Sequence, residues 1–84
     1  MPEISRFYGI IIKMYFLGNE HNPPHIHAIY NKEIALIDIQ TLKVIEGNLP
    51  PRALKLVKEW LKIHKQEIKK MWIYQNFKKI EPLN

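Results

Sequence analysis

Three of the four histidines in this chain, His21, His25 and His27, fall within residues 20–30, EHNPPHIHAIY, on either side of a double proline. Imidazole is the side chain that gains or loses a proton near neutral pH, and its neutral form ligates metals. His25 and His27 are two residues apart, so on a strand they share one face. Three readings follow. In the first, His21 folds back from the loop, with Glu20 beside it, and joins His25 and His27 to hold zinc with a fourth position open. In the second, His25 and His27 are a proton-transfer pair, assisted by His21, of the kind that cleaves RNA through its own 2'-hydroxyl without a metal. Arg6, Arg52 and basic helix residues would then hold phosphate. In the third, the histidines cap the loop and pack against Tyr8 or Tyr15. The chemical readings require the cluster to be solvent-accessible and its rings mutually close.

The elements that must position these residues follow from hydrophobic spacing. From Tyr8 to Phe16 the residues Tyr8, Ile10, Ile12, Met14 and Phe16 alternate onto one face, which marks a strand and its core side. Phe7, Ile11, Lys13 and Tyr15 point the other way. Gly18, Asn19, Asn22 and the two prolines break the pattern into a loop. His25 to Tyr30 resumes as a strand, Asn31-Lys32 is a tight turn, and Glu33 to Gln40 is the next strand. Leu42 to Glu46 is a fourth, short strand. The turn at residues 31–32 sets Tyr30 opposite Glu33, Ala28 opposite Ala35 and Ile26 opposite Ile37. On the other face it sets Ile29 opposite Ile34, His27 opposite Leu36 and His25 opposite Asp38. A carboxylate beside an imidazole fixes its tautomer, so Asp38 is the candidate that orients His25.

After Gly47 and Asn48, Pro50 or Pro51 opens a long helix, because proline suits a first helical turn. Leu54, Val57, Leu61, His64, Ile68 and Met71 recur at spacings of three and four and form the stripe that meets the sheet. His64, within that stripe, reads as a core histidine. Trp60 and Trp72 read as packing residues. Lys55, Lys58, Lys62, Lys65 and Lys69 repeat with the same rhythm one residue later and form a second, basic stripe. The expected architecture is α+β: a four-stranded antiparallel meander with one long C-terminal helix packed on one face, residues 1–84 forming a single domain.

Composition narrows the function classes. There are no cysteines, which removes disulfides, thiolate metal sites and thiol nucleophiles. A mean hydropathy of -0.26, with no run of 18 apolar residues, argues against a membrane span, and the first residues lack the apolar core of a signal peptide. A cytoplasmic location is expected. The net charge of +5 is uneven: residues 1–46 hold four basic and five acidic groups, residues 47–84 nine and three. A basic half points to an anionic partner such as RNA, or to a solvated helix face. One helix covers one face of the sheet. The other face, with Ile11, Tyr15, Ile29, Ile34 and Leu36, is expected to be covered by a second copy of the chain or a cognate protein, or by the tail through Phe77, Ile80 and Leu83.

The segments ISRFYGIIIKMYF, EHNPPHIHAIY, ALIDI and GNLPPRALKLVKEWLKIHKQEI together resemble the small prokaryotic DUF4160 family over nearly the whole chain. The N-P-P-H-x-H-A core and the L-P-P-R-A-L helix start carry the resemblance. It implies a toxin-like protein paired with a DUF2442-type antitoxin. The family segments fall on Arg6, Tyr8, His21, Asn22, Pro23, Pro24, His25, His27, Asp38, Pro50, Pro51 and Arg52. Asn31 stands where glycine is usual, and TLKV at 41–44 replaces a glycine-containing turn.

Overall fold

The computed structural model describes residues 3–14 and 23–83. Five strands precede one helix: β1 (Glu3–Phe7), β2 (Ile10–Lys13), β3 (His25–Tyr30), β4 (Glu33–Asp38), β5 (Val44–Gly47) and α1 (Pro51–Tyr74). The strands pair antiparallel in chain order, β1-β2-β3-β4-β5. This corrects the four-stranded meander, because the residues before Tyr8 form a strand of their own. Tyr8 and Gly9 are the two loop residues between Phe7 and Ile10, which face each other across the hairpin. Their φ values are 49° and 80°, both positive, as the tight type I′ hairpin turn requires. Asparagine-glycine is the usual signal for that turn, and a bulky tyrosine in left-handed backbone costs about 1 kcal/mol or more. Tyr8-Gly9 therefore reads from sequence as the start of a strand.

The extra hairpin reverses two side-chain assignments. Phe7, expected on the outer face, is 5% exposed and packs on Trp60 with ring centroids 5.6 Å apart. Tyr8, expected in the core, is 58% exposed at the turn. The rest of the alternation gives the inner face: Ile10, Ile12 and Met14 are buried, as are Ile26, Ala28, Ala35 and Ile37 across β3 and β4. The β3–β4 ladder runs from Tyr30 opposite Glu33 to His25 opposite Asp38. Asn31, the first residue of its turn, sits at φ 56°.

The β4–β5 connection is built on Asp38. Its backbone N–H donates to the Lys43 carbonyl and its own carbonyl accepts from the Leu42 N–H, with Leu42 at φ 65°. Strand β5 begins at Val44 rather than Leu42 and carries a bulge opposite Leu36 and Ile37. Its last residue, Gly47, has φ 78°, and a Cβ there would collide with the Ile34 carbonyl.

Pro51 opens α1 in the first helical position, where its missing N–H leaves no bond unmade. The helix ends at Gln75, a left-handed residue, with the Asn76 N–H returning to the Met71 carbonyl. Ala53, Val57, Trp60, Leu61, Ile68, Met71 and Trp72 are its buried residues, with Leu54 and Leu56 partly buried. Ile63, outside this buried stripe, is 67% exposed. Beyond the helix the chain returns along β1. The Ile80 N–H donates to the Ile4 carbonyl at 2.6 Å, and the Trp60 indole N–H donates to the Glu81 carbonyl at 2.8 Å. Ile80 is buried, and Phe77 and Leu83 pack against the same core. The tail thus joins the helix-side core through all three residues expected to roof the outer face. No helix of the described residues is long and apolar enough to cross a membrane.

Candidate functional site

His25 opens β3, so the chain leaving Pro23-Pro24 delivers its ring directly to the end of the sheet. The Nδ1–H donates to the Pro23 carbonyl at 2.8 Å, which leaves Nε2 as the basic nitrogen of the neutral ring. Two residues on, His27 follows on the same side, with ring centroids 5.2 Å apart. Accessibility separates them. His27 is half-buried, whereas His25 is 5% exposed and packs on Trp72, in the last turn of α1, at 5.3 Å between rings. An accessible His25 was expected because alternation puts it on the side away from the helix. Trp72 reaches it at the strand end, a contact that strand periodicity does not encode.

Asp38 sits opposite His25 in the ladder, but its carboxylate turns toward the backbone. Its Oδ1 accepts from the N–H groups of Gln40 at 2.6 Å and Thr41 at 3.0 Å. An aspartate bonding the backbone two residues on is a turn-former, and the run DIQT carries that signal in sequence. Asp38 thus shapes the β4–β5 turn, and the His25 tautomer is fixed by the Pro23 carbonyl instead. His21 and Glu20 lie outside the described residues. Among the described residues, no three of His, Asp or Glu converge as a metal site needs.

The outer face around His27 is an ordered lattice. Arg6, Ile11, Ile29 and Ile34 form one row across four strands. Glu3, Lys13, His27, Leu36 and Glu46 form the next across all five. Ile34 is 49% exposed, and Ile11, Ile29 and Leu36 are half-buried. Tyr15, assigned to this face, lies outside the described residues. Arg6 closes a two-point contact with Glu3, Nη2 to Oε1 at 2.9 Å and Nε to Oε2 at 3.2 Å, with Lys79 at 3.6 Å from the same carboxylate. The hydrogen bond from Arg6, helped by the charges of Arg6 and Lys79, holds the Glu3 carboxyl below its ordinary range and raises Arg6 in turn. Arg6 is therefore already paired with a carboxylate.

The lysines of α1 differ. Lys55 and Lys62 are exposed, and Lys58, Lys65 and Lys69 are partly so. Their spacing aligns them over about 21 Å of helix. None lies within ion-pair distance of a described carboxylate; the ion pairs among described residues are made by Arg6, Lys78, Lys79 and His64. Lys65 alone is tied down, its Nζ donating to the Gln40 carbonyl at 2.8 Å, which moors this flank of the helix beside the β4–β5 turn. Arg52 falls off the stripe, in a groove with Tyr8 and Tyr30. His64 is half-buried against Trp60 at 5.3 Å, as a core-edge histidine.

A five-stranded antiparallel sheet backed by one helix with a basic flank defines a small α+β domain. The chain belongs to the DUF4160 family: the model described as "Domain of unknown function (DUF4160)" matches residues 9–73. No curated protein matches the chain, and no solved structure does.

Proposed function

We propose that this protein is the RNA-binding, toxin-like member of a two-protein module, and that it grips RNA through the lysine face of α1. One observation carries the reading: five lysines line one side of the helix, and none lies within ion-pair distance of a described carboxylate. Like charges at i,i+3 and i,i+4 repel one another by a few tenths of a kcal/mol per pair. A protein keeping them together gains from a polyanion that relieves the repulsion. RNA answers this description, because each bound phosphate releases counterion. Of the two neighbouring rings His27 is the less buried, and His25 backs it from the core. Any proton transfer to a 2'-hydroxyl therefore depends first on His27. The test is binding of a short single-stranded RNA by the wild type and by the triple variant Lys55→Glu, Lys58→Glu, Lys62→Glu. His27→Ala, assayed for cleavage, separates binding from chemistry.

A second reading concerns the module's other protein. The Ile11–Ile29–Ile34 row is left open by a tail that packs on β1 instead. That favours a protein partner, a DUF2442-type antitoxin or a second copy of the chain, on the outer face of the sheet. Light scattering of the purified chain, alone and with its cognate protein, tests it. A clean monomer that ignores the cognate protein would exclude this partner face.

A further inference from the structure

A groove of about 570 Å³ opens beside the β1–β2 turn. Its floor is apolar: Ile10 and Ala53 are buried, and Leu56 is partly so. Its rim is polar, formed by the Tyr8 and Tyr30 phenols and the Arg52 guanidinium. No carboxylate lines it, and the first turn of α1 carries no acidic residue. The volume lies within the range of small-molecule sites.

Tyr8 marks the groove as more than a surface dent. It holds left-handed backbone at φ 49°, in a turn position where asparagine or glycine would relax the chain. Its ring meets the buried Phe7 edge-on, at 6.5 Å and 82°, and 58% of the residue remains exposed. Packing therefore does not compensate the backbone strain. Strain held at so exposed a side chain points to a function of that side chain. Across the groove Tyr30 lies over Gly9, where a Cβ would stand 3.5 Å from its ring.

We propose that this groove binds a small organic anion with a flat ring: the ring lies on Tyr8 over the apolar floor, and the anionic head meets Arg52 and the phenol hydroxyls. A guanidinium engages carboxylate or phosphate through two parallel N–H donors, and aromatic rings accept stacked rings. Nucleoside monophosphates and aromatic carboxylates share this chemistry. None of the five stripe lysines lines this groove, so the proposal does not rest on the RNA reading.

Calorimetric titration tests it with four probes: adenosine monophosphate, indole-3-acetate, adenosine as a ring without charge, and inorganic phosphate as a head without ring. At least one ring anion is expected to bind saturably, and adenosine and phosphate at least about tenfold more weakly, as expected when charge-assisted bonds and ring contact are both required. Which ring anion binds better assigns the head as phosphate or carboxylate. Arg52→Gln and Tyr8→Asn are each expected to weaken binding by about tenfold or more. Tyr8→Asn is also expected to melt no lower than the wild type, because it relaxes the turn, so loss of binding there is not loss of fold. Absence of saturable binding by both ring anions up to millimolar concentration would overturn the proposal. So would ring-anion binding that survives both substitutions.

Discussion

Replacing His25 with alanine separates packing from catalysis at the histidine pair. The ring is 5% exposed, lies against Trp72 and His27, and donates to the Pro23 carbonyl. Deleting it forfeits a hydrogen bond of about 1 kcal/mol. The ring contacts and the cavity left beneath Trp72 add about 1–3 kcal/mol. The total is about 2–4 kcal/mol, a large share of the few kcal/mol that hold so short a chain folded. At about 4–8 °C per kcal/mol in a domain of this size, the melting temperature should fall by roughly 8–32 °C. His25→Phe keeps a ring against Trp72 and loses the Nδ1 bond, so it should recover about half of that fall or more. Thermal melting followed by far-UV circular dichroism reads all three proteins. A His25→Ala variant that melts within a few degrees of the wild type, yet loses an RNA-directed activity, would refute the packing account and restore His25 as a proton-transfer residue.

The other expectations use simpler probes. Gly47→Ala should destabilise by about 2–4 kcal/mol, because a positive φ and a collision with the Ile34 carbonyl act together; a melt unchanged from the wild type would show that β5 can shift. Truncation after Gln75 removes Ile80 and the Glu81 carbonyl from Trp60, so the melting temperature should drop and tryptophan emission shift to the red, and an unshifted spectrum would contradict this packing of the tail. Glu3 is held below its ordinary range by Arg6, so its contribution is present above the ordinary carboxylate range and is lost as pH falls through its lowered value. Acid melts of wild type and Glu3→Gln should therefore converge at low pH, and curves that stay parallel would show that the pair adds nothing. The effect is small because the pair is exposed.

What could be read in the sequence was what local chemistry decides. The β3–β4 register followed from a two-residue turn and alternating side chains, and His25 fell opposite Asp38 as that turn dictates. The helix followed from its spacing and its opening proline. β1 was not legible because its turn uses tyrosine where asparagine is usual, so Tyr8-Gly9 read as the start of the first strand and Glu3–Phe7 was missed. Asp38 beside His25 suggested a carboxylate–imidazole pair, but the nearer backbone N–H groups of Gln40 and Thr41 took the carboxylate. The burial of His25 was the least legible feature. It depends on Trp72, 47 positions along the chain, and no strand pattern registers a contact from the end of a distant helix. The groove at Tyr8 was hidden for the same reason as β1, since its strain is visible only once the turn is known.

The central claim is that the lysine face of α1 binds RNA, and the salt dependence of binding tests it most directly. Lys55, Lys58, Lys62 and Lys69 have no carboxylate partner among the described residues, while Lys65 is engaged with the Gln40 carbonyl. Four phosphate contacts to a single strand give a slope of log K against log salt of about -3, so raising salt from about 50 to about 200 mM should weaken binding roughly fifty-fold. The variant carrying Lys55→Glu, Lys58→Glu and Lys62→Glu should bind more weakly at every salt concentration and flatten the slope toward about -1. Fluorescence anisotropy with a labelled single-stranded RNA measures both lines. No binding at low salt, or a slope that the three substitutions leave unchanged, would contradict the account and return the lysines to a solvated face.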